Sequence, residues 1–315
     1  MDCIVVLGSV NADLVTRSLR LPNIGETVSG SEFAIYPGGK GANQAVGAAR
    51  LGAKTCFMGA IGEDDFGSLL ENSLKGSGVD VAALERHPGA SGVAVINIDE
   101  QGNNRIVVVP GANGQITSEY IDRHRETLLQ ATILMLQLEV PIESVCYASF
   151  LAKDAGITVM LDPAPVQELS PELLAAVTWL TPNQSEACRL SHRQEVVLTS
   201  VEAVAFAADL LALGSENVLL KLGGSGLALA TRSGIRHYLP AFSVPVVDTT
   251  AAGDALNAGF AVALSRGLEP VDAALFASAV AALSVTRAGA QPSMPTLDEV
   301  CNFIAHQPVP VPLTR

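Results

Sequence analysis

Residues 247–259 combine a turn of small residues with a carboxylate at the start of an apolar helix. The small side chains of 249–253 let a ligand approach the backbone closely. The free N–H groups and the dipole of a helix N-terminus favour an anion, most often phosphate. Asp254 lies at this point, and the dipole should keep its carboxylate ionised at neutral pH. The pattern predicts a base for a hydroxyl that attacks phosphorus, with a simple helix cap as the alternative.

Further polar groups follow other apolar segments that have the pattern of buried strands. Asn11 and Asp13 follow the segment 3–7, and Glu139 ends the segment 133–139. Because the carboxyl ends of parallel strands meet at one edge of a sheet, these groups should line one crevice. Turn formation is the alternative for Asn11 and Asp13.

Two glycine-rich turns and one polar pair extend this set of candidates. Residues 38–41, Gly-Gly-Lys-Gly, bring backbone N–H groups and a cation to a ligand, although they do not form a Walker loop. A second glycine cluster spans 223–226, and by itself it indicates only a turn. Asn183 and Glu186 have the spacing of a helix-capping pair, or of a polar cluster that orders water around magnesium and phosphate.

These groups require a sheet that collects them at one edge. Apolar strand segments alternate with helical ones through short connections, which predicts an α/β fold: a doubly wound, mostly parallel sheet with helices on both faces. A buried strand over 243–247 should lead into the turn before Asp254. Alternating, glycine-punctuated pieces predict a small antiparallel β lid, which must cover a substrate or a second subunit. The predicted main domain comprises 1–12, 37–91 and 110–307, the lid 13–36 and 92–109, and a frayed tail 308–315.

Composition limits the classes of partner and the compartment. The chain has 315 residues and a formal net charge of -13 without a basic run, which argues against a nucleic-acid partner. Its five cysteines lie far apart without CxxC spacing, which is typical of reduced thiols in the cytoplasm. The first residues have the pattern of a strand and not of a signal peptide. No apolar run is long enough to span a membrane, which argues against a membrane partner.

The motifs Gly-Gly-Lys-Gly-Ala-Asn-Gln-Ala at 38–45 and Asp-Thr-Thr-Ala-Ala-Gly-Asp at 248–254 resemble those of the ribokinase/phosphofructokinase-B sugar kinase family. The match spans nearly the whole chain, and 11–13, 137–139 and 286–293 add to it. The resemblance implies that ATP phosphorylates the 5-hydroxyl of D-ribose, with Mg²⁺ and K⁺ as cofactors. It also implies a homodimer in which the lid pairs two subunits.

The same resemblance implies a role for each matched residue. In the catalytic set, Asp254 is the base. The N–H groups of Ala251, Ala252, Gly253 and Asp254 form an anion hole. The sugar-binding set is Asn11, Asp13, Gly39, Lys40, Gly41, Ala42, Asn43, Glu139 and Asp254. The ATP-binding set is Asn183, Lys221, Gly223, Gly224, Ser225, Gly226, Gly253 and Ser278. Asn183 and Glu186 would lie near Mg²⁺, and a monovalent cation would be surrounded by Asp248, Thr250, Ser284, Arg287, Gly289 and Ser293.

Other interpretations stay open. A related kinase of the family would act on deoxyribose, fructose, a ketodeoxy sugar acid or a nucleoside, and a sugar-binding regulator without catalysis is a further alternative. A nicotinamide oxidoreductase is disfavoured because no GxGxxG follows the first strand. Lys221 stands where the family often has Thr, so its ammonium group either contacts a phosphate or points outward.

Overall fold

The computed structural model describes residues 3–308 and 313–314 of the chain. Its strands are β1 Cys3–Leu7, β2 Asn11–Ser18, β3 Gly30–Gly38, β4 Lys54–Gly62, β5 Asp80–His87, β6 Gly92–Ile98, β7 Asn104–Val109, β8 Ile133–Leu136, β9 Thr158–Leu161, β10 Trp179–Leu180, β11 Asn217–Lys221, β12 Leu227–Thr231, β13 Arg236–Leu239 and β14 Leu313–Thr314. Its α-helices are α1 Lys40–Arg50, α2 Asp65–Gly76, α3 Ser118–Arg123, α4 Arg125–Leu129, α5 Ile142–Asp154, α6 Pro171–Ala176, α7 Gln184–Leu190, α8 Ser200–Leu210, α9 Ala252–Ser265, α10 Pro270–Ser284 and α11 Leu297–His306. Within these ranges no helix has the length and apolar character that a membrane crossing requires.

The main sheet contains ten strands in the order β14-β13-β12-β11-β10-β9-β8-β1-β4-β5. The strands from β11 to β5 in this order run parallel to their neighbours. The strands β12, β13 and β14 add an antiparallel edge. The predicted α/β fold with a mostly parallel sheet is confirmed.

Side chains of the interior strand β1 alternate between two hydrophobic cores, because successive residues of a strand point to opposite faces. Val5 and Leu7 belong to the core that α3, α5 and α8 cover. Ile4 and Val6 belong to the core that α1, α9 and α10 cover. Helices therefore bury both faces, and the carboxyl ends of the strands are left to form a site.

The second sheet is the lid, with strand order β3-β2-β6-β7. The outer pairs are antiparallel, whereas the central pair β2–β6 is parallel. The small antiparallel-rich sheet is confirmed with this one parallel pair. β2 begins at Asn11, a few residues after β1 ends, so the lid grows from the edge of the main sheet where the parallel strands end.

Two segments differ from the sequence predictions or fall partly outside the described ranges. Residues 243–247 do not form a strand, and Val246 and Val247 are 63% and 64% exposed. The N–H of Val247 donates instead to Val285 O at the end of α10. The apolar, β-branched residues suggested a strand, but this segment pairs with no strand in the described ranges. Most of the tail predicted to fray, 308–315, lies outside the described residues, while β14 pairs antiparallel with β13.

Gly41 lets α1 approach the end of β1. A Cβ atom added to Gly41 would lie 2.7 Å from the carbonyl carbon and 2.8 Å from the Cα of Gly8. We expect Gly41→Ala to lower the free energy of unfolding by about 1–3 kcal/mol, because the backbone must move apart. Urea unfolding measures this. Gly76→Ala is the matched control, since nothing lies within 4 Å of its added Cβ, and an equal loss in both variants would contradict the packing argument.

Candidate active site

Asp254 lies in the first turn of α9 and is only 5% exposed. Its carboxylate accepts two hydrogen bonds from α1, at 3.0 Å from Asn43 Nδ2 and at 3.0 Å from Gln44 Nε2. Burial raises the pKa of Asp254 and Asp162 adds to this, whereas Lys40 and the two amides oppose it. The helix dipole favours the ionised form, but desolvation of the buried carboxylate outweighs the opposing groups and raises its pKa. A carboxylate of raised pKa is better matched to accepting a proton near neutral pH.

The turn before Asp254 begins α9 without a side-chain cap. Ala251 is the N-cap residue and adopts a left-handed conformation with φ 57°. Because no side chain in the described ranges caps this helix, the alternative of Asp254 as a simple cap is wrong. The N–H of Ala252 donates to Thr249 O at 3.2 Å. The N–H groups of Gly253 and Asp254 remain as donors that the first turn of a helix offers to an anion.

Two adjoining cavities open beside this turn. The larger has a volume of about 520 Å³ and is lined mainly by apolar side chains. The smaller, of about 270 Å³, is lined by Lys40, Asp162, Asn183, Glu186 and Asp254, among others. The lining that both cavities share is Lys221, Gly223, Thr249, Ala252 and Gly253. This arrangement suits a nucleotide with its base in the apolar part and its phosphates at the start of α9.

Most residues predicted on the nucleotide side line the larger cavity. Ser278, Gly224 and Gly226 do so in addition to the shared residues. Ser225 does not, because it lines a separate cavity beside Leu222. Residues 223–225 form a 3₁₀ turn, in which successive residues point in different directions.

Asn11 lies at the start of β2 and is held by Asn113, a residue that the sequence argument missed. Asn113 Nδ2 donates to Asn11 Oδ1 at 2.8 Å and to Val10 O at 3.1 Å, and Asn113 Oδ1 accepts from Val10 N at 3.0 Å. Asn11 and Asn113 are both buried. Because Oδ1 of Asn11 is engaged, its Nδ2 group is the end that remains for a ligand.

Asp13 and Glu139 bring two more carboxylates to the side of Asp254. Glu139 Oε2 accepts the N–H of Lys40 at 3.1 Å and the hydroxyl of Ser9. Burial, together with the charges of Glu139 and Asp254, raises the pKa of Asp13 to about 7. Several hydrogen-bond acceptors on one side of Asp254 suit a ligand with several hydroxyl groups.

The loop between β3 and α1 carries the glycine motif across the end of β1. Gly39 has φ 88°, and a Cβ there would lie 2.8 Å from Asn11 N, so only glycine allows this approach. Ala42 is fully buried in the core, and its N–H donates to Ser9 O at 2.9 Å. Ala42 therefore supports the turn, while Asn43, Lys40 and the carboxylates present polar groups to the site.

Asn183 and Glu186 form a capping box at the start of α7 and also line the smaller cavity. Glu186 N donates to Asn183 Oδ1 at 2.8 Å, and Glu186 Oε2 accepts from Asn183 N at 2.7 Å. Burial raises the pKa of Glu186, with Lys221 acting in the opposite direction. The capping interpretation of the sequence is thus observed, and the same two side chains border the cavity.

A buried ion pair joins Asp162, at the end of β9, to Lys221, at the end of β11. Lys221 Nζ lies 2.9 Å from Asp162 Oδ1, and the residues are 8% and 3% exposed. The outward-pointing alternative for Lys221 is therefore wrong. The sequence argument missed Asp162, although it follows an apolar strand just as Glu139 does, so the rule that selected Glu139 would have found it.

Asp248 connects the turn before α9 to the loop after α10. Its Oδ1 accepts from the N–H of Thr250 at 2.9 Å, and its Oδ2 accepts from the N–H of Gly289 at 2.9 Å. Within the described ranges Asp248 forms no ion pair, since Arg287 pairs with Glu299 at 2.6 Å. Burial opposes ionisation of Asp248, but the hydrogen bonds from Thr250 and Gly289 lower its pKa overall.

The serines predicted beside Asp248 donate their hydroxyl hydrogens to backbone carbonyl groups of their own segments. The hydroxyl of Ser284 donates to Ala281 O at 2.8 Å, and that of Ser293 donates to Ala290 O at 2.8 Å. Both serines are buried. After this donation the hydroxyl oxygen atoms keep their lone pairs for a cation, beside the backbone carbonyl groups.

The doubly wound sheet, the β lid and a buried carboxylate at a helix N-terminus suit the transfer of a phosphoryl group to a small polar acceptor. Sequence comparison specifies the class: residues 1–297 match the model of the pfkB family of carbohydrate kinases. The chain belongs to this family.

Individual relatives agree with the family assignment. The chain is 41% identical to a ribokinase of Bacillus subtilis over 301 residues, covering 95% of this chain and 98% of that one. It is 34% identical to a deoxyribokinase of Salmonella typhimurium over 304 residues, covering 96% and 98%. The structure of Arabidopsis thaliana ribokinase complexed with ribose and ATP is similar with a TM-score of 0.90 at 35% identity, covering 96% and 99% of the two chains.

Proposed function

We propose that this chain transfers the γ-phosphoryl group of ATP to O5 of D-ribose and releases ribose 5-phosphate and ADP. The observation that carries the proposal is the position of Asp254, a buried carboxylate at the uncapped start of α9 that lines the smaller of the two adjoining cavities. Ribokinases similar over nearly the whole chain support ribose and ATP as the substrates.

The sugar would be held by polar groups from the lid and from the end of β8. Asn11 Nδ2 would donate to a hydroxyl, and the carboxylates of Asp13 and Glu139 would accept from others. These contacts would aim O5 at Asp254, which takes the proton as O5 attacks phosphorus. Lid strands over the site would exclude water that would otherwise compete as acceptor.

The phosphates would lie at the start of α9. The N–H groups of Gly253 and Asp254, with Lys40 and Lys221, would neutralise charge on the transferring group. Mg²⁺, when bound with the nucleotide, would neutralise the phosphate oxygens further. Asn183 and Glu186 suit this role through water, because their oxygen atoms already take part in the capping box and Mg²⁺ retains water ligands. In the described ranges no group of three His, Cys, Asp or Glu could hold a metal alone.

A monovalent cation would bind at Asp248, whose carboxylate forms no ion pair within the described ranges and joins two loops through the N–H groups of Thr250 and Gly289. It would supply positive charge that steadies the turn forming the anion hole. We expect that replacing K⁺ by Na⁺ lowers kcat, because the smaller ion fits the carbonyl spacing less well. Initial rates at constant ionic strength measure this. Asp248→Asn should lose the difference between the two ions, and equal rates of the unmodified chain in both salts would contradict the cation site.

Ribose binding should depend on the ionisation of Asp13. Its pKa is raised to about 7, so lowering the pH through 7 protonates the carboxylate and removes acceptor capacity for sugar hydroxyls. We expect ribose affinity without nucleotide to fall by up to about tenfold per pH unit below 7. Calorimetric titration from pH 6 to 8 measures it. Asp13→Asn should bind more weakly with a flatter profile, and an unchanged profile would assign the titration to another group.

Strand β7, one of the two outer strands of the lid, offers a surface for a second copy of the chain. Ile106, Val107, Val108 and Val109 of β7 are 45–62% exposed, so the edge strand presents apolar side chains to solvent. Exposed apolar edge strands favour pairing with another chain. We therefore propose a homodimer through the lid, which sedimentation velocity tests directly.

The cysteines are free, which supports a reducing compartment such as the cytoplasm.

A second candidate substrate is 2-deoxyribose, because two relatives of similar coverage are deoxyribokinases. A coupled assay of ADP release distinguishes the candidates, with ribose, 2-deoxyribose and fructose compared at equal concentration. We expect ribose to have the highest kcat/KM. A higher value for 2-deoxyribose would transfer the assignment to that sugar. Ribose binding without ADP release would instead indicate a regulator without catalysis.

A further inference from the structure

The catalytic carboxylate is tied to a second buried carboxylate by one amide group. Gln44 Nε2 donates to Asp254 Oδ1 at 3.0 Å and to Asp162 Oδ2 at 3.1 Å. The three side chains come from α1, α9 and the end of β9, and all are at most 5% exposed. Two carboxylates held this close repel each other, so the arrangement needs a specific reason to persist.

A fourth residue sets the orientation of the bridging amide. Gln137 Nε2 donates to Gln44 Oε1 at 2.7 Å, which turns the Nε2 group of Gln44 towards the two carboxylates. Gln137 is fully buried at the end of β8. A Cβ on Gly8 would lie 2.0 Å from Gln137 Oε1, so any larger residue there would displace the Gln137 amide.

The other oxygen of Asp162 holds the ammonium group of Lys221. Lys221 lines both cavities, and its Nζ would lie 3.5 Å from a Cβ added to Gly253 in the first turn of α9. Asp162 therefore contacts Lys221, which reaches the phosphate end of the nucleotide site, and Gln44, which contacts the proposed catalytic base Asp254. None of the sugar-side contacts described above involves Asp162.

We propose that Asp162 is a positioning residue for phosphoryl transfer: it holds Lys221 at the start of α9 for the nucleotide phosphates, and through Gln44 it orients the Asp254 carboxylate. This rests on the proposed function, in which Asp254 is the base and ATP the donor. Nucleotide and catalytic base are then coupled through a single buried carboxylate. Neutralising Asp162 should disturb kcat and ATP binding more than ribose binding.

The effect on pH dependence has a definite sign. The groups that act on Asp254 are Lys40, Asn43 and Gln44 from α1 and Asp162 from β9. The further charges around it are Asp13 of the lid, Glu139, Glu186 and Lys221. The negative charge of Asp162 raises the pKa of Asp254, whereas the Gln44 hydrogen bond lowers it. Asp162→Asn should therefore move the acidic limb of the kcat profile to lower pH, and Gln44→Leu should move it to higher pH.

The test measures kcat, KM for ATP and KM for ribose of the full chain. The pH range, from about 5.5 to about 9, extends at least about one unit to either side of neutral so that the acidic limb is covered. For Asp162→Asn we expect at least about a tenfold loss of kcat and a raised KM for ATP, with KM for ribose within about twofold. Asp209→Asn is the matched control, since its partner Arg193 is on the surface. An unchanged kcat, or acidic limbs that do not move in opposite directions in the two variants, would overturn the proposal.

A second variant keeps the test decisive if Asp162→Asn does not fold with Lys221 left unpaired. Asp162→Asn/Lys221→Thr removes both charges, and it should fold yet retain the loss of kcat. Normal kcat in this double variant would reject the positioning role. Failure of the proposed function looks different, because the unmodified chain would then release no ADP with ribose.

Discussion

Asp254→Asn should fold, bind ribose and ATP, and lose about 10²–10⁴-fold in kcat, the usual contribution of a general base. The fold should survive because the neighbouring amide can adapt. Asn43 Oδ1 is buried without a hydrogen-bond partner among the described residues, so rotation of this amide would present it to the new Nδ2 group. Steady-state ADP release measures kcat, and calorimetry measures both affinities.

Asp272→Asn provides the matched control for this prediction. Asp272 also lies in the first turn of a helix, α10, but it is exposed. Its kcat should stay within about twofold of the unmodified chain, as surface substitutions usually do. Turnover of Asp254→Asn close to that of Asp272→Asn would remove Asp254 from the base role and with it the proposed mechanism.

Lys40→Met should lower kcat/KM for ATP by about 10²–10³-fold, the effect of losing one donor that stabilises transition-state charge. Lys40 is half-buried beside the smaller cavity. Burial acts to lower its pKa, but the carboxylates of Asp254, Asp162, Glu139 and Glu186 raise it overall, so the ammonium group stays charged. Since Lys40 also lowers the pKa of Asp254, its loss should move the acidic limb of the kcat profile to higher pH.

Lys54→Met serves as the control for Lys40→Met, because Lys54 is exposed at the amino end of β4, away from the site. The kinetic constants should not change in this control. A variant of Lys40 that raises only KM for ribose would return Lys40 to the sugar-binding role that the family resemblance implies. A loss shared by both lysine variants would indicate a general effect of net charge.

The local turn chemistry of the site could be predicted because it depends on neighbouring residues. Small residues before Asp254 allow a helix to begin there, and the Asn183–Glu186 spacing forms a capping box within one turn. The strand predicted over 243–247 was wrong because that prediction also used only neighbouring residues. β-branched residues describe a strand locally, but pairing needs a partner, and this segment packs against the end of α10.

By itself, the sequence determined the fold class, the two-sheet organisation and the helix start that carries Asp254, because hydrophobic periodicity and turn residues act over short distances. Only the tertiary structure decided the direction in which the pKa of that carboxylate shifts and which residues surround it. Gln44 bridges Asp254 to Asp162, and Lys221 completes the pair, across separations of 210, 118 and 59 residues. Such contacts depend on which strand ends become neighbours in the sheet and on the desolvation that follows, neither of which local spacing encodes.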